Sequence, residues 1–119
     1  MKDYKKLEVW RKAHVMTTFV YKDVVTQLPK DEMFALVSQM KRAAYSVPLN
    51  IVEGCGRTTE KDFARFLDHA LGSIHEVEYC ALLAFDLNFL EEPIYTNLNR
   101  KVNEIKAMLI AFIKTLRIS

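Results

Sequence analysis

The sequence predicts an all-α fold, an antiparallel up-down-up-down four-helix bundle whose second helix kinks near Pro48, formed as a single domain over residues 1–119. Three observations carry that expectation. Half of the residues are hydrophobic, yet only three are Gly and three are Pro, too few turn formers for the frequent reversals of a sheet protein. Apolar residues recur at steps of three and four along nearly the whole chain, the period of a helix face. The periodic segments are long and the breaks between them short, so each helix must fold back on the one before it. At 119 residues the chain buries about two-thirds of the surface its unfolded form exposes, enough for one core and no second domain.

The first helix is read from Leu7, Trp10, His14, Thr17, Tyr21, Val24 and Leu28, which share one side, and Pro29 ends it. A second stripe of Val9, Ala13, Met16 and Val20 runs beside the first, so the apolar arc is wider than one seam needs and predicts two packing partners. The second helix is expected to start with Asp31 as its N-cap and to turn Phe34, Leu36, Val37, Met40, Ala43, Ala44, Val47 and Ile51 toward the core, stopping near Gly54 and Gly56. Pro48 removes the bond to the Ala44 carbonyl, and the apolar phase continues through Ile51, which predicts a kink without a break. Thr58 or Thr59 caps the third helix, with Asp62 placed as in a capping box, and Phe63, Leu67, Ala70, Ile74, Val77, Ala81 and Ala84 form its seam. Gly72 and Ser73 interrupt that helix, which predicts close approach of a neighbouring backbone there. Residues 88–92 make the last turn. Pro93 fits the first position of the final helix, with Ile94, Leu98, Ile105, Leu109, Phe112 and Leu116 inside and Ile110 and Ile113 widening the arc.

The longest unbroken apolar run, Ala107 to Ile113, is seven residues, far below the ~20 that span a bilayer. No apolar stretch follows the charged N-terminus, so a cytoplasmic protein without membrane contact is expected. Cys55 and Cys80 form no Cys-x-x-Cys pair and predict reduced thiols. The net charge of +2 is unevenly spread. Residues 1–30 carry seven Lys and Arg against three Asp and Glu, and residues 91–119 carry five against three. The intervening quarters reverse the sign, with three against four over residues 31–60 and two against five over residues 61–90. A pI near 8.5 lies below the strongly basic balance of a dedicated nucleic-acid domain.

On the second helix Gln39, Arg42, Ser46, Asn50, Glu53 and Arg57 follow at steps of 3, 4, 4, 3 and 4. A solvated face usually carries interchangeable Lys and Glu. This one mixes amide, guanidinium, hydroxyl and carboxylate beside a Pro-freed carbonyl, which suits a hydrogen-bonded network or a ligand site, with a plain water-facing stripe as the alternative. Glu53 and Glu76 are natural partners for Arg42 and Arg57 if the guanidinium groups are buried.

The same segment carries a family resemblance. Leu7-Glu8-Val9-Trp10 followed by Ala13-His14, then the unbroken block from Ser38 to Arg57, and Phe66-Leu67, Ala70, Gly72-Ser73 and Glu76-Val77-Glu78 further on, together resemble the four-helix-bundle proteins encoded in insertions within bacterial 23S ribosomal RNA genes. Val52, Cys55 and Val77 depart from the usual family residues. The resemblance implies a bundle assembling into a ring-like homopentamer with little chemistry of its own. Similar proteins accompany the reverse transcriptases of diversity-generating retroelements, which implies RNA, DNA or a polymerase as partner.

Catalytic and metal chemistry find few residues. Glu-x-x-His, the bundle metal motif, is absent, since Arg11, Phe66 and Gly72 stand three places before His14, His69 and His75. His75-x-x-Glu78 has the reverse order and no companion, and His14 reads as a core or interface residue. Ser46 and Cys55 have no His nearby in sequence and no nucleophile elbow. Gly54-Cys55-Gly56 lacks a phosphate-loop pattern. No cofactor, metal or catalytic residue is assigned and no enzymatic activity is expected. Lys5, Lys6, Arg11 and Lys12, with Lys2 alongside, crowd one end of the first helix and have Tyr4 and Trp10 among them. That mixture meets phosphates and stacks on bases, so the reading is a non-enzymatic, oligomeric nucleic-acid binder or a binder of a nucleic-acid enzyme. The alternatives are a protein-binding scaffold with no nucleic-acid contact and a small-ligand protein using the ridge.

Overall fold

A computed structural model describes residues 2–118 and contains four principal helices: α1 (Glu8–Phe19), α2 (Ser38–Cys55), α3 (Glu60–Asp86) and α4 (Glu92–Ile118). No strand occurs among the described residues. α2 packs against α1 and α3, and α4 packs against α3 and α1, which closes the four into an antiparallel bundle. α3 and α4 have 27 residues each, about 40 Å at the rise of an α-helix, and they set the 45 Å long axis.

The seam of α1 is the second stripe. Val9, Ala13, Met16 and Val20 are buried, whereas Leu7, Trp10 and Thr17 are only half-buried and His14 and Tyr21 are exposed. After Phe19 the helix widens into a π-helical turn, Val20–Val24, and tightens into a 3-10 turn, Val25–Gln27. A π turn closes its hydrogen bonds over five residues where a regular turn closes them over four, so the buried face passes to Val24, Val25 and Leu28.

The second helix starts differently from the expectation. Asp31 lies in a 3-10 turn, Lys30–Glu32, and Glu32 is the cap, its Oε1 accepting from the Leu36 N–H at 3.3 Å. A second π turn, Met33–Val37, precedes α2 and changes the phase again. Phe34, expected in the core, is therefore 91% exposed, while Leu36 is buried. From Met40 onward the expected seam of Ala43, Ala44, Val47 and Ile51 is buried, and α2 runs unbroken through Pro48. The carbonyl that Pro48 frees is used: Thr17 Oγ1 of α1 lies 3.1 Å from the Ala44 oxygen, sharing its proton with the Ala13 carbonyl at 2.8 Å.

Thr59 caps α3, its Oγ1 accepting from the Asp62 N–H at 3.1 Å, while the Asp62 carboxylate turns to Arg65 at 3.6 Å. At the far end Asn88 takes a left-handed φ of 63°, and the Phe89 and Asn88 N–H groups donate to the Ala84 and Phe85 carbonyls at 2.8 and 2.9 Å. This is a Schellman ending built on Asn, the residue besides Gly that tolerates that conformation best. Pro93 stands one place inside α4. The expected close approach at Gly72 is absent, since a Cβ built there meets nothing within 4 Å. The tight point is Gly54, where a Cβ would lie 2.8 Å from Phe63 Cδ1 and 3.0 Å from Phe66 Cβ.

Candidate functional site

The polar ridge lies along the α2–α3 seam. Gln39 Nε2 donates to Glu76 Oε2 at 3.0 Å, and Ser46 Oγ meets Ser73 Oγ at 2.9 Å. Asn50 Nδ2 donates to the Ser46 carbonyl at 2.8 Å and to Ser46 Oγ at 3.1 Å. Ser73, which the sequence leaves out of the ridge and marks with Gly72 as a point of close approach, is buried and completes the network. Gln39, Arg42, Ala43, Ser46 and Glu76 line an open depression of about 200 Å³.

The charged members of the ridge do not pair as expected. Arg42, Glu53 and Arg57 are exposed, and among the described residues neither guanidinium meets Glu53 or Glu76. Arg57 instead lies over Phe66, 4.7 Å from the ring centre, and Arg65 lies 4.8 Å from the same ring. The burial that would require a carboxylate is missing because both arginines stand on the outward side of the bundle, where water solvates them.

The basic residues at the start of α1 divide into two kinds. Arg11 is engaged by Glu8 and Lys12 by Glu104 Oε1 at 3.1 Å, whereas Lys5 and Lys6 are exposed without a carboxylate partner among the described residues. Lys2 is fixed by its backbone, whose N–H donates to the Cys55 carbonyl at 3.0 Å. Arg11, Lys12 and Lys101, with Glu8, Glu104, Val15 and Ile105, line a groove of about 370 Å³ between α1 and α4. Closure of the bundle makes α1 and α4 neighbours, so the two basic quarters of the sequence lie side by side and the two acidic quarters follow α2 and α3. No local motif signals that arrangement; it follows from charge counts combined with the connectivity.

His14 is exposed, and it is neither a core residue nor a hydrogen-bonded one among the described residues; it stacks on Trp10 with ring centres 5.1 Å apart and planes 8° apart. Tyr4 meets the same indole edge-on at 4.9 Å. His75 Nδ1 pairs with the Leu71 carbonyl at 2.9 Å. No group of three or more His, Cys, Asp or Glu near enough to hold a metal occurs among the described residues. Burial pushes both thiols above their ordinary range, at Cys80 with help from the Glu76 charge, and at Cys55 against the pull of Lys2. A raised thiol is a poor nucleophile at neutral pH. Among the described residues no helix is long and apolar enough to cross a membrane.

Residues 5–111 match the family model described as 23S rRNA-intervening sequence protein. Among solved structures, a protein of unknown function from the S23 ribosomal protein family of Bacteroides thetaiotaomicron is 28% identical. It covers 89% of this chain and 98% of its own, with a TM-score of 0.77. No curated protein matches the chain.

Proposed function

The chain belongs to the 23S rRNA-intervening sequence protein family, and from that premise we propose that it is a non-enzymatic, oligomeric bundle that binds nucleic acid, or a nucleic-acid enzyme in its complex, through the basic α1–α4 side. The observation that carries this reading is the segregation of charge. α1 and α4, which lie in the two segments with a surplus of Lys and Arg, are neighbours, and Lys5 and Lys6 have no carboxylate partner among the described residues. Phosphate binding needs such a field more than it needs a specific pocket. The charge per chain is modest, so repetition of the surface in a homo-oligomer, the pentamer that the resemblance implies, supplies the avidity. Exposure of Phe34 at 91% and Tyr79 at 62% supports contacts between copies or with another protein.

The test is a gel shift with RNA and DNA at two salt concentrations, combined with light scattering on a sizing column. Retention at low salt that falls steeply as salt rises, from a species larger than one chain, is the expected result. Absence of binding at low salt refutes the nucleic-acid reading and leaves the protein-binding scaffold, which capture of a polymerase without nucleic acid would support.

A further inference from the structure

Trp10, His14, Thr17 and Tyr21 fall on one side of the first helix. That side turns toward α2, since Thr17 Oγ1 reaches the Ala44 carbonyl and Lys41 Nζ lies 5.0 Å from the centre of the Tyr21 ring. The other flank faces α4, where Lys12 meets Glu104 and Lys101 lies over Phe19. The aromatic line is therefore separate from the α1–α4 groove. Within it Trp10 is half-buried and held at its edge by Tyr4, and the exposed His14 imidazole lies flat upon the indole. One face of His14 rests on Trp10. The side chain is otherwise open to water and takes no hydrogen bond or ion pair among the described residues. Tyr45, one helical turn beyond Lys41, is 43% exposed on the α2 side of the same line.

We infer that this α1–α2 face stacks unpaired bases, so that the nucleic acid bound is single-stranded. Flat rings presented to solvent beside lysines are what a strand with splayed bases can use, because every base has a π-face and every linkage a phosphate. A duplex keeps its base faces covered and offers this surface only phosphates. Lys5, whose Nζ lies 6.0 Å from the Tyr4 ring centre, and Lys41 stand where a strand following the aromatic line would carry its charge. The inference rests on the nucleic-acid reading above and names the form of nucleic acid that the face selects.

Trp10 is the chain's one tryptophan, so its fluorescence reports on the site directly. The experiment titrates the intact protein with dye-labelled oligothymidylate and with a duplex of equal length at low salt, reading dye anisotropy and Trp10 emission together. Expected are tighter binding of the single strand, by about tenfold, and a change in Trp10 emission with the single strand alone. His14→Ala and Tyr45→Ser each weaken single-strand binding by about tenfold and leave duplex binding unchanged, while Tyr45→Phe, which keeps the ring, binds as the parent does. His14 and Tyr45 are exposed, so the variants fold, and an unchanged melting temperature verifies it. Equal binding of both forms, a silent Trp10 or unaffected variants would overturn the stacking inference and leave the charge-based reading standing. Failure of both forms to bind would overturn both.

Discussion

Replacing Gly54 with Ala and Gly72 with Ala should move stability in opposite directions, although both glycines lie inside helices. In an exposed helix interior Ala is better than Gly by about 1 kcal/mol, because Gly loses more backbone freedom on folding. At Gly72 nothing lies within 4 Å of the new methyl, so the gain arrives intact, about 0.5–1 kcal/mol. At Gly54 the methyl would stand 2.8 Å from Phe63 Cδ1 and 3.0 Å from Phe66 Cβ. Phe63 is buried and held edge-on against Phe112 at 5.3 Å, and a Cβ moves only with its backbone, so neither neighbour yields cheaply. Overpacking of this kind costs about 1–3 kcal/mol. Gly54 is also next to the last residue of α2, where the propensity gain is smaller than in mid-helix. The net is a loss of about 1–2 kcal/mol, a fall of roughly 3–10 °C in melting temperature for a chain of this size. Urea and thermal unfolding followed by circular dichroism read both variants. A stabilised Gly54→Ala would refute the close α2–α3 approach. A destabilised Gly72→Ala would show that another surface covers this side of α3.

Thr17→Val should cost about 1 kcal/mol by orphaning the Ala44 carbonyl, and less in a Pro48→Ala background, where residue 48 regains the N–H that satisfies it; additive losses in the double-mutant cycle would contradict the coupling. Arg42→Ala should leave unfolding of the single chain within about 0.5 kcal/mol, since the side chain is exposed and has no ion pair among the described residues, and a loss of several kcal/mol in the assembled protein alone would place Arg42 in a contact between copies. Both thiols should resist alkylation at neutral pH and react freely once the chain is unfolded. Their folded-state values are raised above 9.0 by burial, so the stability they contribute is complete below that pH and is lost as pH rises through the folded values. Rapid modification of Cys55 or Cys80 in the native protein at pH 7 would contradict their burial.

The long helices were legible because their apolar residues keep one phase. Leu67, Ala70, Ile74, Val77, Ala81 and Ala84 of α3, and Leu98, Ile105 and Leu109 of α4, are buried as their spacing predicts. The seam is lost where the period changes. Two π turns, Val20–Val24 and Met33–Val37, shift the phase between α1 and α2, and no residue type announces such a turn. Phe34 reads as core on a 3.6-residue period and faces water on the real one. The same limit applies to glycine: the sequence reads Gly54 as the stop of a helix and Gly72 as the close approach, and only the three-dimensional neighbourhood shows that the phenylalanine lies against Gly54. In the polar ridge the hydroxyl and amide members were readable as a network, because Ser and Asn have few satisfactory uses inside a helix seam. The charged members were not, since an arginine at the same spacing is equally content in water.

Connectivity turns a gradient along the sequence into a charge arrangement across the molecule. With short loops and alternating directions, the first and last helices of a four-helix ring must be neighbours, so a chain that is basic at its ends and acidic in its middle brings its two basic segments together, with Lys106 and Arg117 of α4 pairing across to Glu78 and Asp68 of α3. The net charge of +2 conceals this, because the basic and acidic segments nearly cancel. The division also separates tasks. The α2–α3 seam closes its hydroxyl and amide groups on one another through Ser46, Asn50 and Ser73, and so has little hydrogen-bonding capacity left there for a ligand. The turn that precedes α1 keeps Lys5 and Lys6 exposed, and α1 carries the exposed His14 stacked on the half-buried Trp10. α1 borders both the α4 groove and the aromatic line, so a change there that spares folding should disturb partner binding more than a change of equal charge on α3.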